Sequence, residues 1–307
     1  MTKNRSNLRR IFFTIFIAIF LTSQGYSQGL TIIEQDYDLA KTESKKQNKL
    51  LLIEFYFIGC GPCKKLENKV FKDAAVSNEI GKSFVLLRYD IHKPTQDKLQ
   101  LKYYVSRFPT IIVLNQEQLV FDKFGGVDEE NPARGFMKSL DQAVLKVKQN
   151  EYIKGFSPST DLTYPKFFED FDRKEERKKD YETDIENYWA TTDNRFSEVS
   201  FSILNFLFEE LPDEVISFFL KNQSKYEDLF IKEEVISLKN RIIRARFGQA
   251  LDGVDRAKFN LAVQWTKESY DETQAKKIIS HFERFMLDQE RIKKRKLARV
   301  NRQKKSN

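Results

Sequence analysis

Hydrophobic and polar positions divide this chain into two regimes. Residues 50–57 are almost continuously apolar, β-branched or aromatic, which is how a strand buried on both faces of a sheet reads. From Pro62 onward, Leu66, Val70 and Phe71 fall on one side at helical spacing while Lys64, Lys65, Glu67, Asn68 and Lys69 can face water, so a helix follows the strand directly. Residues 84–90 repeat the strand pattern and are expected to run parallel to the first strand by way of that helix. Residues 29–33, 110–114 and 119–124 read as further strands, the last two antiparallel across a turn at 115–118. Helices are expected over 36–48, packing on Tyr37, Leu39 and Ala40, over 98–104, and over 132–147 with Phe136, Leu140, Ala143 and Val144 inward.

Past residue 148 the pattern lapses. Gly155, Ser157, Pro158 and Ser159 mark a linker over 151–164. Phe167, Phe168 and Phe171 then open a long charged helix closed by Tyr188 and Trp189, and apolar stripes recur over 196–211, 212–220, 233–247, 256–270 and 272–297. About six helices with short connections predict an all-α bundle or helical array over 165–290. Their aromatic stripes are more often core than ligand site, and no fixed repeat period emerges.

At 307 residues there is room for two cores, and 32% charged residues with 27 Phe against 11 Gly fit a helix-rich second half. The net charge of +8 sits at the ends: Lys3, Arg5, Arg9 and Arg10 precede the first apolar run, and nine basic residues with no acid fill 291–305, so the body between is net acidic. The basic start, an apolar run over 11–21 broken only by Thr14, and the small residues around Gly25 and Ser27 form the three parts of a secretory signal over 1–27. A membrane anchor is the competing reading, but a spanning helix takes about 20 apolar residues and this run is shorter. Export to a bacterial periplasm is therefore expected, which argues against nucleic acid as the partner of the basic tail at 291–307. An anionic membrane surface, or no partner at all, is left for that tail.

The only two cysteines stand in the order Cys60-Gly61-Pro62-Cys63, at the junction of the apolar strand and the helix after it. Zinc takes about four ligands, and this chain has no third cysteine and only His92 and His281, so no metal or cofactor is expected. A structural disulfide is the competing reading; with no third cysteine for a separate bridge, both thiols are expected to serve redox chemistry. A sulfur at a helix N-terminus lies beside unpaired amide groups and the positive end of the helix dipole, which stabilise a thiolate. The thiolate is the nucleophile of disulfide exchange; Cys63, one turn further in, is placed to attack the mixed disulfide that Cys60 would form. Glu54, a carboxylate within the apolar strand, is either a solvent-facing strand residue or a buried acid near the cysteines. His92, in a loop, is given no role.

The run Leu50-Leu51-Leu52-Ile53-Glu54-Phe55-Tyr56-Phe57-Ile58-Gly59-Cys60-Gly61-Pro62-Cys63-Lys64 resembles the thioredoxin active-site segment, and Phe108-Pro109-Thr110 resembles the loop that carries that family's cis-proline. The residues after Cys63 and the strand at 84–90 are most similar to the exported thioredoxin-like subgroup that includes the C-terminal domain of the interchange protein DsbD. The resemblance implies an α/β thioredoxin-like domain over 28–150, a mixed sheet flanked by helices, ahead of the all-α domain. It implies a thiol-disulfide oxidoreductase with Cys60 as nucleophile and Cys63 as resolving thiol, acting on protein disulfide substrates and recharged by an upstream dithiol donor. Glu54 matches the family's buried aspartate and is expected to take a proton from Cys63 through water. A cis Pro109 would expose the backbone of Phe108 to a substrate strand, and Gly59, Phe108 and Gly125 would form the rim around Cys60. One departure stands out: the tryptophan usual before the first cysteine is Gly59, which alters the partner surface and redox potential rather than the reaction class. The Gly-Pro pair between the cysteines resembles reductases, though the direction of exchange stays open. The alternative is a redox-sensing or non-catalytic scaffold protein whose helical half holds a partner.

Overall fold

A computed structural model describes residues 29–93, 97–126, 128–172 and 180–305; the expected signal segment lies outside them. Five strands, β1 (Thr31–Glu34), β2 (Leu50–Tyr56), β3 (Phe84–Asp90), β4 (Thr110–Leu114) and β5 (Val120–Gly125), form one sheet in the order β1-β3-β2-β4-β5. β3 is parallel to both β1 and β2, whereas β4 is antiparallel to β2 and β5 to β4, so the sheet is mixed, as the sequence pattern predicts. The most apolar segment, β2, takes the central place, where both faces are covered.

Alternation along β2 and β3 assigns each face its core. Leu51, Ile53 and Phe55, with Val85, Leu87 and Tyr89, point to one face, packed by Tyr37 and Ala40 of α1 (Tyr37–Gln47). Leu52, Phe84 and Leu86 point to the other. There they meet Leu66 of α2 (Gly61–Leu66), Val70 and Phe71 of a single π-helical turn (Glu67–Phe71), Ile80 of α3 (Ala74–Ser83) and Phe136 of α5 (Pro132–Gln149). The expected inward residues Phe136, Leu140 and Ala143 are buried, and Val144 is partly so.

Several local expectations are corrected. Leu39 is 46% exposed, because α1 turns Tyr37, Ala40 and Ser44 to the sheet and leaves position 39 on the outer side. The helix expected over 98–104 is a single turn, α4 (Leu99–Lys102), since Tyr103, Tyr104 and Val105 leave helical geometry to enter the core. The long charged helix opening at Phe167 is described over α6 (Lys166–Asp172), its expected continuation over 173–177 lies outside the described residues, and Tyr188 and Trp189 belong to a separate α7 (Glu182–Thr191).

Beyond α7 lie α8 (Glu198–Phe206), α9 (Asp213–Lys221), α10 (Gln223–Leu229), α11 (Lys232–Gly253), α12 (Arg256–Ser269) and α13 (Glu272–Lys305). That gives eight helices from Lys166 onward among the described residues, where about six were expected. The basic stretch expected as a separate tail over 291–307 continues α13 without a break to Lys305. Among the described residues no helix is long and apolar enough to cross a membrane.

The two halves share a core. The sheet face carrying Leu51, Ile53 and Phe55 is continuous with Phe156 of the connecting segment and with Phe168, Phe201, Phe219 and Trp265 of the helical half in one buried cluster. The stretch expected as a linker has no helix or strand, yet it is packed into both sides. Ile153 N–H donates to Val120 O at 2.8 Å, Gly155 N–H donates to Leu229 O at 2.7 Å, and the Phe156 ring stacks on Tyr104 at 5.5 Å between centroids. Lys102, almost fully buried, donates to Ser157 O, Ser159 O and Glu198 Oε2, each at 2.8 Å. That ammonium ties α4, the connecting segment and α8 together, and its three acceptors are what make its burial tolerable.

Candidate active site

Cys60 is the N-cap of α2, in extended backbone at the end of the loop that leaves β2, with Pro62 just inside the helix where a missing N–H costs nothing. Its Sγ accepts the Cys63 N–H at 3.1 Å, and the two cysteines are joined as a disulfide. Both are buried, Cys60 at 6% exposure and Cys63 at 3%. The strand-to-helix junction thus puts the Cys60 sulfur where helix-terminal amide donors point. The same donors stabilise the thiolate once the disulfide opens.

Glu54 is 0% exposed and on the Leu52 face of β2, the face covered by the active-site helix. This decides between its two readings in favour of burial. In the parallel register Glu54 lies opposite Arg88 of β3, which in turn lies opposite Glu34 of β1. Arg88 Nε donates to Glu54 Oε2 at 2.8 Å, its Nη1 reaches Glu34 Oε1 at 3.3 Å, and its Nη2 reaches Glu67 Oε2 in the π turn at 3.4 Å. Burial pushes the Glu54 carboxyl up to about 7, against the opposing pull of Arg88. Its Oε1 has no hydrogen-bond partner among the described residues. A buried carboxylate with one oxygen held by arginine and the other unclaimed can exchange a proton near neutral pH.

Arg88 was missed as a site residue by the sequence reasoning. The signal was an isolated cation in an otherwise apolar strand, answering the isolated acid in β2; their pairing is set by sheet register, which local pattern does not carry.

The Phe108-Pro109 peptide bond is cis, as the motif context suggested. The Phe108 ring meets Phe57 edge-on at 5.3 Å, and Phe57 O accepts the Cys60 N–H at 3.1 Å, so the cis-proline loop is packed on the cysteine loop. Thr110 Oγ1 donates to Arg107 O at 2.8 Å, bracing the same loop. Gly125 pairs with Thr110, and a Cβ added there would sit 2.8 Å from Pro109 O; Gly126 donates to the same carbonyl at 3.1 Å. Only glycine allows β5 to approach the cis-proline loop this closely.

Gly59 adopts φ +97°, where a side chain strains the backbone. The departure from tryptophan is therefore matched by a loop conformation in which tryptophan would be disfavoured. Next to it, Ile58, which the sequence reading did not single out, is 79% exposed. The apolar residue among turn residues just before Gly59 was the available sign. His92, given no role, packs its ring on Phe57 at 5.5 Å. Among the described residues no group of three or more His, Cys, Asp or Glu is positioned to hold a metal ion.

A Cys-x-x-Cys pair capping a helix, packed through Phe57 on a cis-proline loop, with a buried acid on the sheet face that helix covers, is a site of the thiol-disulfide oxidoreductase type. A family profile described as thioredoxin-like matches residues 32–116. Thioredoxin-1 of Drosophila melanogaster is 30% identical over 92 residues, which is 30% of this chain and 80% of that protein. The protein disulfide-isomerase of Ricinus communis is 23% identical over 161 residues, 52% of this chain but only 30% of that longer protein. Among solved structures, a thioredoxin from Thermus thermophilus is 22% identical with a TM-score of 0.32, covering 39% of this chain and 90% of that one. The chain belongs to the thioredoxin-like family through its first half.

Proposed function

We propose that the protein is an exported disulfide reductase. The observation that carries the chemistry is the Cys60 sulfur at the head of α2, accepting the Cys63 N–H and bonded to Cys63 itself. In the reduced protein, the Cys60 thiolate attacks a substrate disulfide, forming a Cys60–substrate mixed disulfide and releasing one substrate thiolate. Cys63, losing its proton toward Glu54, attacks Cys60 Sγ and releases the second substrate thiol. Two electrons pass to the substrate, and the Cys60–Cys63 disulfide is the oxidised product. A dithiol donor upstream must reduce it again before another turnover.

Support for export is the signal-like pattern of residues 1–27; support for the reductive direction is the Gly-Pro pair between the cysteines. The basic end of α13 suits an anionic membrane surface, with Arg291, Lys293 and Lys294 exposed on it. Protein disulfides are the substrates in this reading.

The redox potential of the full chain tests the direction. A value near the roughly −270 mV of thioredoxin supports a reductant, and one near the roughly −120 mV of a strong oxidase sinks it. In insulin-disulfide reduction, Cys60→Ser should abolish attack while Cys63→Ser should stall at a trapped mixed disulfide; the reverse pattern contradicts the assigned roles. Because the sheet face under Leu51 and Phe55 is covered by the helical half, these assays use the whole chain rather than the first half alone.

A further inference from the structure

A groove of about 490 Å³ opens between the docking loop and helix α11. One wall is Arg107 and Phe108 of the cis-proline loop with Gly125 at the end of β5; the other is Ser237 and Arg241 of α11. Three cations line it, Arg107, Lys123 and Arg241, against two carboxylates, Glu233 and Glu234. Glu234 is already committed, its Oε1 lying 2.9 Å from the Lys123 ammonium, and Glu233 stands exposed. Neither Arg107 nor Arg241 has a carboxylate within ion-pair distance among the described residues.

Arg241 is nonetheless fixed. Its Nη1 donates to Asn205 O at 3.0 Å and its Nη2 to Asn205 Oδ1 at 2.7 Å, while the guanidinium lies over the Phe208 ring and Nε is buried without a partner. Burial first, and then the charge of Arg107, holds the Arg241 guanidinium below its ordinary value, with Glu234 opposing. Arg107 is exposed, and among the described residues the hydrogen-bond partner of its guanidinium is Ser237 Oγ, at 3.5 Å. One guanidinium is therefore rigid and the other free to close on a ligand, and the two repel each other until an anion comes between them. Guanidinium forks suit carboxylates.

We propose that this groove is a carboxylate subsite of the docking surface, in which an acidic side chain of the polypeptide exchanging at Cys60 seats between Arg107 and Arg241. The assignment rests on the exchange reading of Cys60 and Cys63. It gives the helical half a direct part in substrate choice: α11 supplies the fixed charge, the thioredoxin-like half the mobile one. A substrate strand lying along Phe108 and Gly125 runs straight into the groove, so the selected acid belongs within a few residues of the reacting cysteine.

The test uses the full-length reduced protein and N-acetylated, C-terminally amidated peptides, each with one cysteine in a mixed disulfide with a chromogenic thiol and with Glu, Gln or Lys at each of the flanking positions in turn. At the best position kcat/KM should fall in the order Glu, Gln, Lys, spanning about tenfold at low salt and shrinking as salt rises. Arg107→Glu, an exposed change confirmed folded by circular dichroism, should reverse that order, and Arg241→Gln should compress it. Equal rates for the three peptides at every position, or an unchanged order in Arg107→Glu, overturn the proposal. The same peptides with serine for cysteine, titrated by fluorescence anisotropy, keep the two readings apart. Charge-sorted binding without any exchange would retain the groove and sink the exchange chemistry, whereas exchange without charge sorting would sink the groove alone.

Discussion

Replacing Glu54 by glutamine keeps the shape of the buried side chain and removes its titration. A carboxyl raised from 4.5 to about 7 by burial corresponds, at about 1.4 kcal/mol per tenfold change in proton affinity, to roughly 3 kcal/mol of linkage. The sign follows from where the proton sits. Between these two values the folded protein keeps the proton that the unfolded chain gives up, so the stabilisation is full below 4.5 and is lost as pH rises through 7. Denaturant unfolding of the oxidised full chain, wild type against Glu54→Gln, should show a stability difference that moves against the wild type by roughly 3 kcal/mol between pH 4.5 and pH 8. In the reduced protein the same variant should slow Cys63 attack on a preformed mixed disulfide by roughly a hundredfold at pH 7, read by acid quench and mass spectrometry. Parallel stability curves for the two proteins across this range would mean that Glu54 titrates as an ordinary acid. The proton-acceptor argument would then fail with it.

Gly125→Ala places a methyl 2.8 Å from Pro109 O, so the docking loop must shift; kcat/KM for peptide disulfides should drop several-fold while the redox potential of the cysteine pair stays the same. Lys102→Met leaves Glu198 buried without its ammonium and should cost about 3–5 kcal/mol, which Lys102→Met with Glu198→Leu should largely restore in thermal melts. Phe201, fully buried and stacked on Phe230 at 3.9 Å between centroids, should cost about 3–5 kcal/mol as Phe201→Ala. Because its cluster runs from the helices to the sheet, calorimetry should show one transition lowered; a melt in which only the helical half moves would contradict a shared core.

The strand, the cysteine pair and the helix after it were legible because each is specified within a few residues. Continuous apolar side chains in 50–57 demand burial on both faces, Pro62 fits the first turn of a helix, and the spacing of Leu66, Val70 and Phe71 gives that helix one inner side. The cis bond before Pro109 was suggested by the resemblance of Phe108-Pro109-Thr110 to the family's loop rather than by the local pattern. What the local pattern carried poorly was where elements stop. Tyr103 and Tyr104 continue a helical periodicity, yet the chain leaves the helix at Lys102 because burying both rings against Phe55, Phe156 and Phe201 outweighs another turn.

The relations among distant residues belonged to the tertiary structure alone. Arg88 stands beside Glu54 because two parallel strands take one register, across 34 positions of sequence. The connecting segment, rich in Gly, Ser and Pro, reads as slack chain, but Lys102 and Phe156 fasten it, and neither partner is near in sequence. The sheet face formed by Leu51, Ile53 and Phe55 announces only that something apolar must cover it. That the cover is the aromatic helical half, bringing Arg241 into one groove with Arg107 and Phe108, follows from a hydrophobic drive that fixes how much surface is buried and leaves shape and register to choose the partner.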